Sequence, residues 1–93
     1  MIEQRLEQRL KREVERRGGK ALKFVSPGWA GAPDRLVLFP GGRLVFVEMK
    51  APGKKPRPLQ IKRMKELEEL GFDVEVIDSQ EDIDEFIEGW FGK

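Results

Sequence analysis

Three charged side chains lie where two neighbouring segments of the chain could bring them together. Asp34 comes directly before the apolar segment 35–39, and Glu48 and Lys50 lie at the end of the segment 43–50, which is rich in apolar and β-branched residues. A Pro-Gly-Gly turn joins the two segments and predicts a β-hairpin. Asp34 and Glu48 would then meet at one end of a sheet. Two carboxylates and an ammonium group at one place suit a metal-assisted reaction on a phosphate ester.

The segment 43–50 carries its charges on an otherwise apolar side. Side chains on a strand alternate between faces, so Glu48 and Lys50 share a face with Leu44 and Phe46. A buried polar group without a partner costs ~1–3 kcal/mol. Either Glu48 and Lys50 form an ordinary exposed pair at the end of a strand, or they serve a functional site.

A hard divalent cation fits the chemistry of these residues. Magnesium takes six oxygen ligands and is usually held by one or two carboxylates, with water and substrate phosphate completing the shell. Asp34 and Glu48 would be those carboxylates. The backbone carbonyl of Met49 could add an oxygen, and Glu3 could join directly or through water. The cation would polarise the phosphoryl group and lower the pKa of a water molecule. Lys50 would orient or deprotonate that water, or stabilise the charge of the transition state.

The composition excludes several other kinds of catalyst. The 93 residues include neither cysteine nor histidine, which removes zinc fingers, disulfide frameworks, Cys-His nucleophile pairs and histidine general bases. No apolar run approaches the roughly 18 residues that cross a bilayer, and the highly charged start of the chain does not resemble a secretory signal. We therefore expect a single cytoplasmic domain over residues 1–93 that makes no membrane contact.

The periodicity of the apolar residues predicts seven elements that would position these side chains. They are a helix over 2–17, strands over 21–25, 35–39 and 43–50, a helix over 59–70, a strand over 72–77 and a helix after Ser79. This order predicts a small α/β sandwich, with a mixed sheet flanked by helices. The last helix would bury the large apolar residues Ile83, Phe86, Ile87, Trp90 and Phe91.

Two of the predicted helices carry polar residues on their apolar sides. At 100° per residue, Glu3 falls between Leu10 and Val14 on the apolar stripe of the first helix, and Glu7 falls at its edge. Glu3 is therefore the preferred acidic residue from this helix, with Glu7 as the alternative. The apolar stripe of the second helix consists of Ile61, Met64, Leu67 and Leu70. Gln60 projects close to the middle of that stripe.

The net charge of +1 conceals a strongly basic segment, residues 50–65, which contains no acidic residue. Basic side chains directly after the candidate site suit contacts with DNA phosphates, although a solvated linker has the same composition. Trp29 lies in a loop rich in Gly and Pro, where it would either stack on a base or pack against its own domain. The DNA-binding residues that the sequence predicts are Lys54, Lys55, Arg57, Lys62, Arg63 and Trp29.

Pro33-Asp34 followed by Glu48-Met49-Lys50 resembles the signature of the PD-(D/E)XK nucleases, and the order of predicted elements resembles their αβββαβ core. Residues 31–53 followed by Gln60 are similar to the VRR-NUC family, and this resemblance extends over residues 3–77. It implies a restriction-endonuclease-like fold with an extra C-terminal helix. It also implies a Mg²⁺- or Mn²⁺-dependent DNA nuclease with a catalytic set of Asp34, Glu48 and Lys50. Gln60 would line the site, and an acidic residue of the first helix would complete it.

The same resemblance bears on the substrate. Stand-alone, phage-type members of the family resemble Holliday-junction resolvases, which act as homodimers in DNA recombination and repair, so we expect four-way junctions as substrate in the cytoplasm of a bacterial or phage-infected cell. The large apolar residues of the last helix favour such a homodimer, because so small a sheet should not need all of them. A monomeric nuclease of flaps or single-stranded ends is the alternative. A noncatalytic DNA-binding module, or a structural partner protein, would not need the acidic residues.

Overall fold

The computed structural model describes residues 2–92, and for Ile2 it describes the backbone alone. The elements follow the predicted order: α1 (Ile2–Glu15), β1 (Lys20–Lys23), β2 (Arg35–Phe39), β3 (Arg43–Met49), α2 (Pro58–Glu69), β4 (Asp73–Ile77) and α3 (Gln80–Phe91). Most of the predicted boundaries hold to within one residue. The exceptions are α1 and β1, each of which ends two residues before its predicted end. β1 stops early because its last ladder partner is Arg35, the first residue of β2.

The four strands form one mixed sheet in the order β1-β2-β3-β4. β2 pairs antiparallel with β1 and β3, whereas β3 and β4 run parallel and are joined by α2. Gly41 and Gly42 make the tight turn between β2 and β3, with φ values of 95° and 88° that other residues rarely adopt. Arg35 pairs with Val47, so Asp34, one residue earlier, comes opposite Glu48, one residue later.

The main core lies between one face of the sheet and the helices α1 and α3. Every second residue of β3 points into it, and Val45, Val47 and Met49 are almost fully buried. The core also contains Leu6, Leu10, Val14, Ala21, Val37, Phe39, Ile77, Ile83, Phe86 and Ile87. These contacts confirm the predicted apolar stripe of α1 at its described positions; the side chain of Ile2 lies outside the described residues.

The aromatic residues of α3 belong to this core. Phe39 of β2 lies in the middle, with ring centroids 5.7 Å from Trp90 and 4.7 Å from Phe91. Trp90 also donates a hydrogen bond of 3.2 Å to Glu75, and the guanidinium of Arg43 lies 5.4 Å from its ring centre. The aromatic residues of α3 therefore have partners within their own domain, but Trp90 and Phe91 are only partly buried there, and a part for them in a dimer stays a prediction.

The opposite face of the sheet is covered by α2 over β3 and β4. Gln60 and Leu67 are the buried residues of α2, which confirms the predicted inward position of Gln60. The predicted apolar stripe is partly wrong, since Ile61 is 40% exposed and Leu70 is 73% exposed. The side of the helix that meets the sheet is centred on Gln60 and Leu67, so Ile61 points away from it and Leu70 lies beyond the last helical turn.

Several apolar side chains of the second sheet face and its surroundings stay exposed. Leu22 on β1 is 44% exposed, Val25 just after β1 is 72% exposed, and Phe72 before β4 is 45% exposed. In the part of the chain that the structure describes, none of the helices has the length and apolar character needed to cross a membrane.

Candidate active site

The hairpin of β2 and β3 brings Asp34 and Glu48 together at one end of the sheet, as the sequence predicts. Asp34 lies in the turn before β2, and its Oδ1 accepts a hydrogen bond of 3.0 Å from the backbone N–H of Met49. This bond fixes the Asp34 carboxylate at the end of β3. Glu48 is the residue of β3 that directly precedes Met49. The two carboxylates are close enough for Asp34 to raise the pKa of Glu48.

Glu48 is a buried carboxylate with one satisfied oxygen and one unsatisfied oxygen. Its residue surface is 3% exposed. Oε2 accepts a hydrogen bond of 3.0 Å from Nε2 of Gln60 and lies 3.4 Å from Nζ of Lys50. Oε1 is buried and has no hydrogen-bond partner among residues 2–92. Such an oxygen is costly in a folded protein, and a cation is the ligand that would satisfy it.

Gln60 holds Glu48 through a second hydrogen bond at the start of α2. Its Oε1 accepts a bond of 2.8 Å from the backbone N–H of Arg57, the residue that caps the helix. Because the carbonyl oxygen of the side chain is used in this way, the amide nitrogen is directed at Glu48. Gln60 therefore links the beginning of α2 to the carboxylate at the end of β3.

Two more carboxylates approach Asp34 from α1. One oxygen from each of Glu3, Glu7 and Asp34 lies within 4.8 Å of the other two. Glu7 already has a cationic partner, since its Oε2 lies 2.7 Å from a guanidinium nitrogen of Arg35. Asp34 is thus common to two sets of groups, with Glu3 and Glu7 on the α1 side of the sheet and Glu48 on the α2 side.

The electrostatic environment favours the protonated form of both central carboxyl groups. Burial raises the pKa of Glu48 above its usual value, and the Asp34 carboxylate raises it further, whereas Lys50 acts in the opposite direction. Burial also raises the pKa of Asp34, against the lowering effects of the Met49 N–H and of Arg35. Buried acids with raised pKa values next to one another are typical of functional sites.

These groups fit a hard divalent cation. All the candidate ligands are oxygens, which suit Mg²⁺ and Mn²⁺, and the unpartnered Oε1 of Glu48 supplies a donor that no protein group uses among the described residues. Asp34 and Glu48 would hold the ion, with Glu3 or Glu7 completing the set. Metal binding by the backbone carbonyl of Met49 stays a prediction, because the contact between Met49 and Asp34 is made by the Met49 N–H.

The predicted DNA-binding residues divide into two groups. Lys54, Lys55, Arg57 and Lys62 are exposed, and the first three lie on the loop between β3 and α2. Arg63 and Trp29 instead contact each other, with the Arg63 guanidinium 5.4 Å from the centre of the Trp29 ring. Arg63 also donates a hydrogen bond of 2.8 Å to the carbonyl of Ala30. A role of these two residues in DNA binding stays a prediction, although their positions are already accounted for within the protein.

Sequence reasoning missed Arg35 as part of the site. The signal was present, since alternation along β2 places Arg35 on the same face as Val37 and Phe39, toward α1. An arginine on that face needs an acidic partner, and Glu7 lies within reach on α1. Pairing of inward-facing charges across predicted elements would have identified this contact.

Comparison with known proteins agrees with this fold. A profile of the VRR-NUC domain family matches residues 2–81. A protein of Acyrthosiphon pisum secondary endosymbiont phage 1, provisionally named nuclease p44, is 52% identical over 79 residues, which make up 85% of each chain. A solved structure described as a VRR_NUC domain superposes with a TM-score of 0.89 at 34% identity, covering 97% of this chain and 98% of the other.

Proposed function

The chain belongs to the VRR-NUC domain family, a family of nucleases, and from this premise we propose that it is a divalent-metal-dependent DNA endonuclease that cleaves four-way junctions as a homodimer. The observation that carries the metal-dependent chemistry is the buried, unpartnered Oε1 of Glu48. It lies near Asp34, at the end of β3, just before the exposed loop that carries Lys54 and Lys55 begins. Buried carboxylate oxygens usually have hydrogen-bond partners, and we therefore assign this oxygen to the ion.

The residues of the chain divide the work at this site. Asp34 and Glu48 hold the ion, which when bound stabilises negative charge on the phosphate and makes an attacking water more acidic. Lys50, whose Nζ lies 3.4 Å from Glu48, orients the water, takes its proton or stabilises the charge of the transition state. Gln60 touches neither water nor phosphate in this scheme and acts as a positioning residue through its bond to Glu48.

Glu3 is the residue of α1 that we assign to the ion. Glu7 is held by Arg35 at 2.7 Å, which neutralises its charge and fixes its direction. The side chain of Glu3 makes no hydrogen bond or ion pair with any residue in the described range 2–92, yet its carboxylate oxygen lies within 4.8 Å of one from Asp34. A ligand that must move onto an ion is more readily supplied by Glu3 than by Glu7.

The exposed loop between β3 and α2 supplies the phosphate contacts in this proposal. It begins directly after Lys50, and it carries Lys54, Lys55 and Arg57 beside the site. Cationic side chains at this position would contact DNA phosphates whatever the base sequence. Recognition would then depend on the shape of the substrate, as branched DNA requires.

A panel of labelled linear, flap and four-way-junction DNAs, incubated with Mg²⁺ or Mn²⁺, tests the proposal. We expect junction cleavage that disappears with excess chelator and with Asp34→Asn, while circular dichroism shows that this variant keeps the fold. Cleavage that persists in chelator would overturn the metal mechanism. Preferential cleavage of flaps or single-stranded ends by a monomer would overturn the assignment to junctions but not the assignment as a nuclease.

A further inference from the structure

The side chain of Arg63, a residue of α2, makes three contacts within the protein. Its Nε donates a hydrogen bond of 2.8 Å to the carbonyl of Ala30, and a terminal nitrogen donates one of 2.9 Å to Glu66. The guanidinium plane also lies over the ring of Trp29, 5.4 Å from its centre. The side chain is 19% exposed. Two of its five N–H donors are therefore used within the protein, and the Trp29 ring covers part of the guanidinium.

The segment that Arg63 contacts is the loop 26–31, which lies flat against α2. Gly31, with a φ of 84°, packs so closely on Leu59 that a Cβ atom would lie 2.8 Å from the Leu59 Cγ. Trp29 closes a turn through a hydrogen bond of 3.1 Å from its N–H to the carbonyl of Ser26. Two neighbouring contacts, one from Leu59 and one from Arg63, thus fix this loop on the helix.

The same loop leads directly into Asp34. Its base is closed by a hydrogen bond of 2.9 Å from the N–H of Phe24 to the carbonyl of Asp34, and Pro33 is fully buried. Only Ala32 and Pro33 separate the loop from Asp34, so a shift of the loop would strain the contacts that hold this carboxylate in place. The other carboxylate, Glu48, is held from the same helix by Gln60.

We infer that Arg63 is a positioning residue for the nuclease reaction, which fixes the loop 26–31 and through it Asp34, and that it is not a contact for DNA phosphate. The inference rests on the proposed function, because its consequence for catalysis requires Asp34 to be a ligand. On this view α2 holds both carboxylates, Glu48 through Gln60 and Asp34 through Arg63. A lysine could not replace Arg63, because only a planar guanidinium stacks on a ring while bonding two separate acceptors.

The test compares Arg63→Ala and Arg63→Lys with Lys62→Ala, which removes the adjacent exposed positive charge on the same helix. The chain contains two tryptophans, so fluorine NMR of protein labelled with fluorotryptophan reports Trp29 separately, with Trp90→Phe used for assignment. Cleavage kinetics with Mg²⁺ give kcat and KM. DNA binding in chelator, measured across salt concentrations, shows whether a variant neutralises fewer phosphates than the wild type.

We expect both Arg63 variants to shift the Trp29 resonance and to lower kcat by about tenfold, since loss of residues that support metal ligands costs about 10- to 100-fold. KM and the salt slope of binding should stay as in the wild type. Lys62→Ala should leave the Trp29 resonance in place. An Arg63→Ala variant with a reduced salt slope, an unshifted Trp29 resonance and normal kcat would overturn the inference and make Arg63 a phosphate contact.

A second variant, Glu66→Gln, protects the test against loss of folding in the Arg63 variants. It keeps the charge of Arg63 but weakens the bond that directs the guanidinium toward the loop. We expect a smaller shift of the Trp29 resonance and a smaller decrease in kcat; unchanged values of both would contradict the inference. The NMR measurement needs no nuclease activity. A Trp29 resonance that shifts in the Arg63 variants of a protein without any cleavage would therefore support the contact between Arg63 and the loop 26–31, while the proposed function failed.

Discussion

The carboxyl group of Glu48 makes the folded protein less stable in its charged form than in its neutral form. Burial and the neighbouring Asp34 raise its pKa in the folded state. An acid whose pKa is raised by folding contributes stability that is fully present below the pKa of the unfolded state, about 4.3 for Glu. This stability is lost as the pH rises through the pKa of the folded state. Metal-free protein should therefore lose stability from about pH 4 upward because of this residue.

Glu48→Gln should reverse that loss, because its neutral amide imitates the protonated acid. In excess chelator, we expect the variant to have a higher Tm than the wild type at pH 7, with the difference disappearing below about pH 4. Thermal unfolding measured across this pH range tests the prediction. A variant that is less stable than the wild type at pH 7 would mean that the contacts with Lys50 and Gln60 outweigh the cost of burial.

Lys50 permits a separation of chemistry from binding. Lys50→Ala should reduce cleavage by about 10²- to 10⁴-fold, the usual contribution of a positioned proton-transfer group, while metal and DNA binding remain. Single-turnover cleavage together with binding measurements in Ca²⁺ would distinguish the two effects. A variant that cuts at the wild-type rate would show that Lys50 has no part in the chemistry.

The site residues differ in how far the sequence could predict them. Glu48 and Gln60 were accessible because each interrupts a periodic apolar pattern, and periodicity is a local property of the chain. The contacts of Arg35 with Glu7 and of Arg63 with Ala30 were not predicted. The first could have been found by pairing inward-facing charges across predicted elements, whereas the second depends on how a loop packs on α2, for which the sequence gives no sign.

At the level of elements, the side chain of Gln60 connects the N-terminus of α2 to the candidate site. Gln60→Met keeps the size of the side chain but removes both hydrogen bonds, one to Glu48 and one from the Arg57 N–H. We expect about 10- to 100-fold weaker metal binding or activity, measured as the Mg²⁺ concentration that gives half-maximal cleavage. Glu68→Gln on the exposed side of α2 is the control, and equal Mg²⁺ dependence in both variants would contradict the role of Gln60.

The loop before α2 has a separate role in our proposal, which is to hold phosphates. Neutralising Lys54, Lys55 and Arg57 together should weaken DNA binding and flatten its dependence on salt, by about 0.9 log units per log salt for each phosphate of duplex DNA that is no longer neutralised. A control set with the same change of charge, which lies toward the other end of the sheet, consists of Lys11, Arg12 and Lys20. If both sets change the slope equally, the loop has no special contact with DNA.

At the level of the whole molecule, the proposal requires two copies of the chain to associate. The aromatic residues of α3 pack around Phe39, although Trp90 and Phe91 are only partly buried there. The exposed apolar side chains lie elsewhere, among them Leu22, Val25 and Phe72. A four-way junction offers two symmetric cleavage points, and a twofold dimer would supply two identical sites.

Light scattering at micromolar concentrations, with and without junction DNA, measures that association. We expect a dimer at least when the junction is present, and Leu22→Lys should weaken it if the exposed sheet face takes part. Phe91→Ala is the comparison: it should lower the Tm by leaving a cavity in the core without changing the association state at temperatures where it is folded. A wild-type protein that stays monomeric in both conditions would remove the dimer and most of the support for junction cleavage.

The order of the seven elements could be predicted in full, but the use of their surfaces could not. The hairpin signal, the helix caps and the alternation along β3 are local, and they were sufficient for the order. Whether Trp90 and Phe91 face a partner or Phe39 depends on how α3 crosses the sheet, which no local pattern encodes. The exposed Ile61 and Leu70 differ from prediction for the same reason, since α2 meets the sheet through Gln60 and Leu67.

The hairpin and the parallel crossover also set the order in which the site can form during synthesis. Asp34 directly precedes β2 and Glu48 lies on β3. A three-residue turn joins these strands, and contacts so close in sequence form early. Gln60 and Arg63 arrive later, and α2 can be fixed on the sheet only when β4 has paired in parallel with β3. Until β4, which ends at Ile77, has emerged from the ribosome, the nascent chain would therefore carry both carboxylates without α2 fixed in the position that orients them. The protein would become a nuclease only as its last third emerged.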